Sequence, residues 1–323
     1  MTELTPSPAA PLTLLIKGKR LEAQGVYSFE LVDLEGQALP PFTAGAHLEF
    51  HLSSGTIRHY SLCNSPLETH RYCVAVLKQE DGRGGSIEMS ELQVGDTVTA
   101  LAPRNNFELN NTAKHSVLIA GGIGITPILA MAQKLEAEQQ SFEIHYLARS
   151  RSTAAYLDTL AEDRFAAHTQ TYFQDEAGIA DLGAVITEPK PDSHLYVCGP
   201  AGLMDGVFDT ATAKGWSPDN LHKEYFQAEA SDNSDAEAFE VKLKSSGETF
   251  QVPAHRTLFD VLDEAGAFIP CSCLEGVCGT CVTPVVSGEI EHRDVFLSQQ
   301  EKDSNQLIAV CCSRAKGTLV LDL

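Results

Sequence analysis

Short apolar runs separated by turn residues fill the first third of the chain. In these runs β-branched and aromatic residues are frequent, and the runs cover residues 25–31, 46–52, 57–62, 72–77 and 97–101. Runs of this length and composition, bounded by turn residues, are typical of β-strands. Several such strands in close succession predict an antiparallel β-barrel, to which we assign residues 1–112.

The pattern changes after the polar segment at residues 110–114. An apolar run at residues 116–120 leads into a glycine-rich turn, and apolar residues then recur with helical spacing. Thr126 has the chemistry of an N-cap, and Pro127 suits the first helical position. Further apolar runs alternate with helical stretches and cover residues 142–148, 169–173 and 194–198. This alternation predicts an α/β doubly wound nucleotide-binding domain with a parallel sheet over residues 113–228.

An acidic segment separates the last part of the chain from the rest. Residues 229–240 contain five acidic side chains and no basic one, which is the composition of a solvated linker. We therefore expect a linker at residues 229–237 and a third domain at residues 238–323.

Length and charge narrow the classes of function. A chain of 323 residues is long enough for two or three domains. The net charge of −21 argues against binding to nucleic acid or to anionic membranes. The longest apolar stretch, residues 116–132, is interrupted by glycine and proline and is shorter than the roughly 20 residues of a membrane span. The N-terminus has no pattern of a signal peptide, so we expect a cytoplasmic protein.

Nine cysteines are present, and four of them have an informative spacing. Cys273, Cys278 and Cys281 form C-x4-C-x2-C, and a fourth cysteine follows after 29 intervening residues as Cys311 or after 30 as Cys312. This spacing is that of a plant-type ferredoxin, whose thiolates hold a 2Fe-2S cluster. The run before Cys311 has the pattern of a strand, so Cys311 and Cys312 should face opposite sides. We therefore predict Cys273, Cys278, Cys281 and Cys311 as the ligands.

Two other interpretations of these cysteines remain open at the level of sequence. A structural zinc site usually pairs two C-x2-C knuckles, whereas this chain has a single one. A disulfide framework requires an oxidising compartment, which the missing signal peptide argues against. Cys271 and Cys312 lie beside the predicted ligands and complicate an assignment by spacing alone.

Three further motifs offer donors for phosphate groups. The first is Arg-His-Tyr-Ser at residues 58–61, where a period of two places Arg58 and Tyr60 on one face of a strand. The second is Gly-Arg-Gly-Gly-Ser at residues 82–86, which combines flexible backbone donors with a guanidinium group. The third is the turn Gly-Ile-Gly-Ile-Thr-Pro at residues 122–127, where a pyrophosphate can approach the backbone. Each motif alone is a weak signal, because surface loops and tight packing produce the same residues.

The order of the motifs is more specific than any single motif. These three, followed by Cys-Gly-Pro-x-x-Leu-Met at residues 198–204 and by the ferredoxin-type cysteines, resemble the phthalate dioxygenase reductase family over essentially the whole chain. The resemblance implies an antiparallel flavin-binding β-barrel, an α/β nicotinamide-binding domain and a C-terminal β-grasp 2Fe-2S ferredoxin domain. It also implies FMN, a 2Fe-2S cluster and NADH as cofactors.

The resemblance also implies roles for individual residues, with Ser61 and Cys198 next to the reacting rings. The residues that would contact the flavin are Arg58, His59, Tyr60, Ser61, Ala75, Val76, Leu77, Arg83, Gly84, Gly85, Ser86 and Phe226. The residues that would contact the dinucleotide are Gly122, Gly124, Thr126, Cys198, Gly199, Pro200 and Met204. Tyr225 competes with Phe226 for the flavin position.

The modules imply a function in electron transfer. NADH delivers two electrons as hydride and an iron–sulfur cluster accepts one at a time, so a flavin between them has to split the pair. The resemblance implies a monomeric reductase component that serves a Rieske-type oxygenase acting on an aromatic acid. A demethylating or other monooxygenase as acceptor and a non-catalytic redox carrier or sensor remain as alternatives. Ser150 replaces an acidic residue of the family pattern and is followed by Arg151, which leaves NADPH open as the donor.

Overall fold

The computed structural model describes residues 11–226 and 237–323 of the chain. These residues form two compact units, which divide between Glu224 and Tyr225. The first unit contains a β-barrel followed by an α/β sheet, and the second contains a smaller mixed sheet. The linker expected at residues 229–237 lies outside the described residues, apart from its last residue, and so do the first ten residues of the predicted barrel domain.

The barrel is built from antiparallel strands and one short helix. Its elements are β1 (Leu12–Ala23), β2 (Val26–Asp33), β3 (Ala46–His51), β4 (Ile57–Ser61), β5 (Tyr72–Leu77), α1 (Gly85–Glu91), β6 (Thr97–Ala100) and β7 (Arg104–Asn105). The strand order is β4-β3-β6-β1-β2-β5, and β7 pairs with β3. A bridge between Leu62, next to β4, and Val74 in β5 joins the two ends of this order. The predicted antiparallel barrel is therefore confirmed.

The sequence pattern missed the longest strand of the barrel. β1 has twelve residues and pairs with both β2 and β6, so it is central in the sheet. From Lys17 to its end the strand carries three basic residues and no buried side chain, so it lacks the alternation that marked the other strands. The residues that fill the barrel interior include Leu14, Phe29, Leu48, Phe50 and Tyr72, which are fully buried.

The α/β part of the first unit has five parallel strands. Its elements are β8 (His115–Gly121), α2 (Ile125–Ala137), β9 (Ser141–Ala148), α3 (Leu157–Leu160), α4 (Asp163–Ala166), β10 (Thr169–Phe173), α5 (Gln174–Ala177), α6 (Leu182–Val185), β11 (Ser193–Cys198), α7 (Ala201–Ala213) and β12 (Leu221–Glu224). The strand order is β10-β9-β8-β11-β12, and all pairs are parallel. The order reverses between β8 and β11, as the doubly wound prediction requires.

The start of α2 differs from the prediction. Gly122–Gly124 forms a short 3-10 helix, and α2 begins at Ile125 with Gly124 as its N-cap. Thr126 is therefore inside the first turn, where its hydroxyl donates a hydrogen bond of 3.1 Å to the carbonyl oxygen of Ile123. The 3-10 turn continues the chain directly into the helix, so no side-chain cap is needed at this end.

The second unit is a β-grasp sheet that packs against a helix. Its elements are β13 (Phe239–Leu243), β14 (Thr249–Val252), α8 (Leu258–Glu264), β15 (Val282–Glu291), α9 (Gln299–Ser304), β16 (Leu307–Ala309) and β17 (Arg314–Leu321). The order is β14-β13-β17-β15-β16, in which only β13 and β17 run parallel. Leu258 and Leu262 of α8 join the buried core beneath the sheet. None of the helices among the described residues is long and apolar enough to cross a membrane.

Candidate functional site

The two turns at the point where the strand order reverses lie against each other. The glycine turn follows β8, and the Cys198-Gly199-Pro200 turn follows β11, which pairs directly with β8. A Cβ on Gly124 would lie 2.2 Å from the carbonyl oxygen of Cys198. A Cβ on Gly199 would lie 2.9 Å from the Cα atom of Gly121. Glycine is therefore required at both positions, and the turns form one crevice at the carboxyl ends of the strands, where doubly wound sheets bind nucleotides.

The remaining residues predicted to bind the dinucleotide surround this crevice. Pro200 is the N-cap of α7, and Met204 lies in the first turns of that helix with almost no exposed surface. Thr126 is buried in the first turn of α2. Gly122 has a φ of +54° and open space around its Cα, so it leaves the backbone accessible.

A cradle of arginine and glycine forms at the rim of the barrel. Arg58 is in β4, and its guanidinium group lies so close to Gly85 that a Cβ on this glycine would be 2.5 Å from Nε of Arg58. Gly84 precedes α1 with a φ of +85°, a backbone conformation that favours glycine. The hydroxyl of Ser86 accepts a hydrogen bond of 3.1 Å from the backbone N–H of Gln79. The structure thus brings the first two motifs together, as a phosphate group requires.

The other predicted flavin residues fall on two faces of the barrel strands. Tyr60 tilts against Phe50, with ring centroids 5.6 Å apart. His59 alternates with Tyr60 along β4 and stacks on His47 at 5.1 Å. Its Nε2 atom lies 3.5 Å from a carboxylate oxygen of Glu49. His59 therefore belongs to a different side-chain cluster from the cradle.

Strand β5 connects the barrel to the glycine turn. Ala75 and Leu77 of this strand pack in one apolar cluster with Ile123, which is the middle residue of the 3-10 turn. Val76, between them, is buried toward the barrel core. The predicted flavin edge, formed by residues 75–77, and the predicted dinucleotide turn are therefore in direct contact within the first unit.

Two further residues predicted to contact the flavin, Arg83 and Phe226, lie outside the barrel strands. Arg83 is exposed in the loop before α1. Phe226 is half-buried and follows the end of β12 by one intervening residue, Tyr225, which is also half-buried. The choice between Tyr225 and Phe226 stays a prediction.

The structure adds Glu224, a residue that the sequence did not indicate. The hydroxyl of Ser61 donates a hydrogen bond of 3.4 Å to Oε2 of Glu224. Glu224 is also the register partner of Cys198 in the parallel pair of β11 and β12. Ser61 and Glu224 are 163 residues apart, so no local signal could have connected them.

Burial raises the pKa values of Glu224 and Cys198. The residue Glu224 keeps some exposed surface, whereas its carboxyl group is enclosed by protein atoms. This desolvation raises the pKa of Glu224 to about 8, and the hydrogen bond from Ser61 opposes the shift. Burial, together with the nearby Glu224, raises the pKa of the Cys198 thiol well above its usual range. At neutral pH the side chains of Ser61, Cys198 and Glu224 are therefore mainly uncharged.

An ion pair joins the segments that follow β9 and β10. Nε of Arg151 is 2.6 Å from Oε1 of Glu176, and its terminal nitrogen is 3.2 Å from Oε2. The same guanidinium group lies over the ring of Phe173 at 4.4 Å. The carboxyl ends of these strands are where doubly wound sheets bind an adenosine ribose. The positive charge of Arg151 is thus compensated at this position.

The predicted iron ligands converge in the second unit. Cys273, Cys281 and Cys311 are buried, and Cys278 is half-buried. The thiol of Cys311 interacts with those of Cys273 and Cys281, and Cys273 interacts with Cys278. The described residues contain no second C-x2-C knuckle near them, and the four thiols form a continuous group.

The loop between the first three cysteines fits a cluster because its backbone turns inward. Gly276 and Gly279 have φ angles of +71° and +74°, and the N–H of Glu275 donates a hydrogen bond of 3.3 Å to Sγ of Cys273. A Cβ on Gly279 would lie 2.2 Å from the ring of Phe296. Backbone donors and tightly packed glycines are the surroundings that thiolate sulfurs need around a cluster.

The reason given for Cys311 over Cys312 was wrong. Both residues lie in the turn at residues 310–312 that follows β16, and neither is in a strand. Cys311 is 3% exposed and joins the thiol group, whereas a Cβ on Gly276 would meet Sγ of Cys312 at 2.6 Å. The turn, rather than alternation along a strand, separates the two side chains.

A phosphate cradle beside a nucleotide crevice, together with four converging thiols in one chain, defines an iron–sulfur flavoprotein oxidoreductase. Comparisons with known proteins agree with this class. Residues 241–316 match the 2Fe-2S iron-sulfur cluster binding domain. Residues 97–221 match the N-terminal domain of dimethylamine monooxygenase subunit DmmA-like proteins.

The similarity to individual proteins extends over nearly the full length. The chain is 47% identical to vanillate O-demethylase oxidoreductase from Pseudomonas sp. (strain HR199 / DSM 7063), covering 97% of this chain and 100% of the relative. It is 41% identical to phthalate dioxygenase reductase from Burkholderia cepacia, covering 99% of each. A solved structure of phthalate dioxygenase reductase matches with a TM-score of 0.79 and 42% identity, covering 97% of this chain and 98% of that one. The chain belongs to the phthalate dioxygenase reductase family.

Proposed function

We propose that this chain is the reductase component of a Rieske-type oxygenase system, acting as a monomer in the cytoplasm. Its cofactors are FMN and a 2Fe-2S cluster, and its electron donor is NADH. The observation that carries the proposal is the contact between the barrel strand β5 and the glycine turn, which joins the flavin edge to the nucleotide crevice. The chemistry that these groups supply when bound is the splitting of a hydride pair into single electrons.

The residues of the chain bind and orient the cofactors. Arg58 and the glycines beside it would hold the flavin phosphate, because a guanidinium group and free backbone donors suit a phosphate dianion. Gly124 and Gly199 keep the two turns in backbone contact, and Gly122, whose Cβ position is open, would let the pyrophosphate approach the backbone. Ile123 packs in the same apolar cluster as Ala75, so the two binding regions adjoin through apolar side chains.

Ser61 and Glu224 would hold a proton next to the flavin. Because the pKa of Glu224 is raised to about 8, its carboxyl group carries a proton at neutral pH, while Oε2 accepts the hydrogen bond of 3.4 Å from the hydroxyl of Ser61. An uncharged carboxyl group avoids a fixed negative charge beside the position that receives hydride. Cys198, on the neighbouring strand, remains a neutral thiol for the same reason.

Two kinds of oxygenase are candidates for the protein that accepts electrons from this chain. The order of the sequence motifs favours an aromatic-ring dioxygenase, as in phthalate dioxygenase reductase. Identity over nearly the whole chain favours a demethylating partner, since three vanillate O-demethylase oxidoreductases are 44–47% identical and the two phthalate-specific relatives are 39–41% identical. We therefore keep a demethylating monooxygenase as the second candidate.

The first experiment mixes the purified protein with NADH without oxygen and without an acceptor. Bleaching of both flavin and iron–sulfur absorbance supports turnover by this chain alone. A protein that binds NADH and stays oxidised would instead be a redox carrier or sensor. Extraction of the flavin and its identification as FMN completes the cofactor assignment.

The second experiment identifies the acceptor. The reduced protein is mixed with the purified oxygenase component of a vanillate O-demethylase or of a phthalate dioxygenase, and oxidation of the reductase is followed by stopped flow. Faster transfer to one oxygenase assigns the partner class. Equal and slow transfer to both would contradict an acceptor of either kind.

A further inference from the structure

Within the continuous group of thiols in the second unit, a pair and a closer set of three can be distinguished. Cys273 and Cys278 interact with each other on the first part of the loop. The Sγ atoms of Cys271, Cys281 and Cys311 all lie within 4.8 Å of one another. The second group therefore contains a cysteine, Cys271, that the ferredoxin spacing does not include.

The number of ligands that a 2Fe-2S cluster needs shows that this third thiol is in excess. A 2Fe-2S cluster takes four cysteine thiolates, and each of its two irons binds two of them. Cys273 and Cys278 provide one pair. Cys281 and Cys311 complete the set, so the group of three offers one more thiol than its iron requires.

Cys312, next to Cys311 in the sequence, interacts with Cys311 but does not belong to the set of three thiols that all lie close to one another. Its Sγ lies 3.9 Å from the carbonyl oxygen of Ala309 and 3.9 Å from Oγ of Ser313. It lies against Gly276 and is outside the group of three. The two extra cysteines are thus distinguishable, and Cys312 provides a matched control.

Burial keeps the third thiol in place beside the predicted ligands. Cys271 is half-buried and packs against the apolar core of the second unit, a core that also contains Cys281 and Cys311. Ser272, between Cys271 and Cys273, is 4% exposed, so the chain holds this short segment inside the protein. A thiol in such a position does not need a large backbone movement to reach the iron.

We propose that Cys271 is an auxiliary ligand of the iron–sulfur centre, able to replace Cys311 on the iron that Cys281 also binds. In this exchange the bond between iron and the sulfur of Cys311 breaks, and a bond to the sulfur of Cys271 forms. The proton of the Cys271 thiol passes to the released sulfur of Cys311. The cluster keeps its charge and oxidation state, so no oxidant or reductant is consumed. The inference rests on the proposed function, since it requires a resident 2Fe-2S cluster.

The experiment compares alanine variants, because a serine oxygen could itself remain on iron. Iron and acid-labile sulfide per protein are measured for the wild type, C311A, C271A, C271A/C311A and C311A/C312A, together with the electron paramagnetic resonance spectrum after reduction. We expect C271A to match the wild type. C311A and C311A/C312A should keep at least half of the iron with a shifted spectrum, and C271A/C311A should keep less than a tenth.

A labelling measurement gives a second readout that does not depend on activity. In folded C311A, iodoacetamide should modify Cys271 at least tenfold more slowly than in the same variant after iron is removed. Circular dichroism checks that each variant is folded.

Three results would overturn the inference. The first is a C311A protein as poor in iron as C271A/C311A, and the second is loss of iron in C311A/C312A but not in C271A/C311A. Rapid labelling of Cys271 in iron-loaded C311A is the third. A wild type that contains no iron would refute the proposed function itself, which keeps the two failures separate.

Discussion

The replacement of Glu224 by glutamine tests the assignment of a protonated carboxyl group beside Ser61. Glutamine keeps the shape of the side chain and can accept the same hydrogen bond, but it cannot ionise. The folded protein holds the proton of Glu224 up to a pKa of about 8, whereas an unfolded chain releases it near the ordinary value of 4.5. Between these two pH values the folded state binds one more proton than the unfolded state.

The sign of the pH dependence follows from this difference. Unfolding releases the proton within the window from pH 4.5 to about 8, so the free energy of unfolding of the wild type falls as the pH rises through it. The contribution is complete below pH 4.5 and is lost above pH 8. The E224Q variant lacks this proton and should not show this part of the decline.

The magnitude can be bounded from the size of the shift. A shift from 4.5 to about 8 corresponds to a ceiling of about 5 kcal/mol, at about 1.4 kcal/mol for each pKa unit. Relaxation of the surrounding protein and water penetration after ionisation lower this ceiling, so we expect about 2 kcal/mol. Relative to the wild type, E224Q should therefore gain about 2 kcal/mol of stability between pH 5 and pH 9.

The single tryptophan of the chain makes the measurement specific. Trp216 is 4% exposed in the first unit, and its indole N–H donates a hydrogen bond of 2.9 Å to the carbonyl oxygen of Thr187. Its fluorescence reports unfolding of that unit in urea at pH 5, 7 and 9. E91Q, which changes an exposed glutamate at the end of α1, is the matched control and should follow the wild type.

The rate of flavin reduction provides an independent test of the protonation state of Glu224. In rapid mixing with NADH under anaerobic conditions, the wild type should slow above pH 8, where the ionised carboxylate opposes arriving negative charge. The rate for E224Q should stay flat. Parallel stability curves for the wild type and E224Q from pH 5 to pH 9 would refute the reasoning, whatever the flavin rates.

Three further predictions concern other parts of the molecule. G124A should lower stability by about 1–3 kcal/mol and weaken NADH binding, because its Cβ would meet the carbonyl oxygen of Cys198. The control G202A has open space in helix α7, so it should keep NADH binding and lose no stability. E176Q should strengthen binding of 2′,5′-ADP by roughly tenfold by releasing Arg151 for the phosphate, and unchanged affinity would contradict this. Electron transfer to the oxygenase should slow with rising salt because the chain carries a net charge of −21, and a constant rate would exclude electrostatic docking.

Features set by neighbouring residues could be predicted from the sequence. The strand at Tyr72–Leu77 and the strand at Thr169–Phe173 have the bounds that their apolar runs indicated. The barrel and the β-grasp arrangement of the second unit were correct as fold classes. The regular alternation failed for β1, whose exposed, charged half has no single buried face. Local patterning works where one face of an element is buried and fails where both are exposed.

The available chemistry can be predicted from the sequence, because the spacing of the cysteines, the glycines of the two turns and the arginine of the barrel strand are all short-range features. Tertiary structure decided which of these groups meet. Ser61 and Glu224 are brought together by the packing of the barrel on the parallel sheet, and Cys271 and Cys311 by the fold of the second unit. The physical reason is that propensities act over a few residues, whereas these contacts depend on strand order and burial, which only the folded chain fixes.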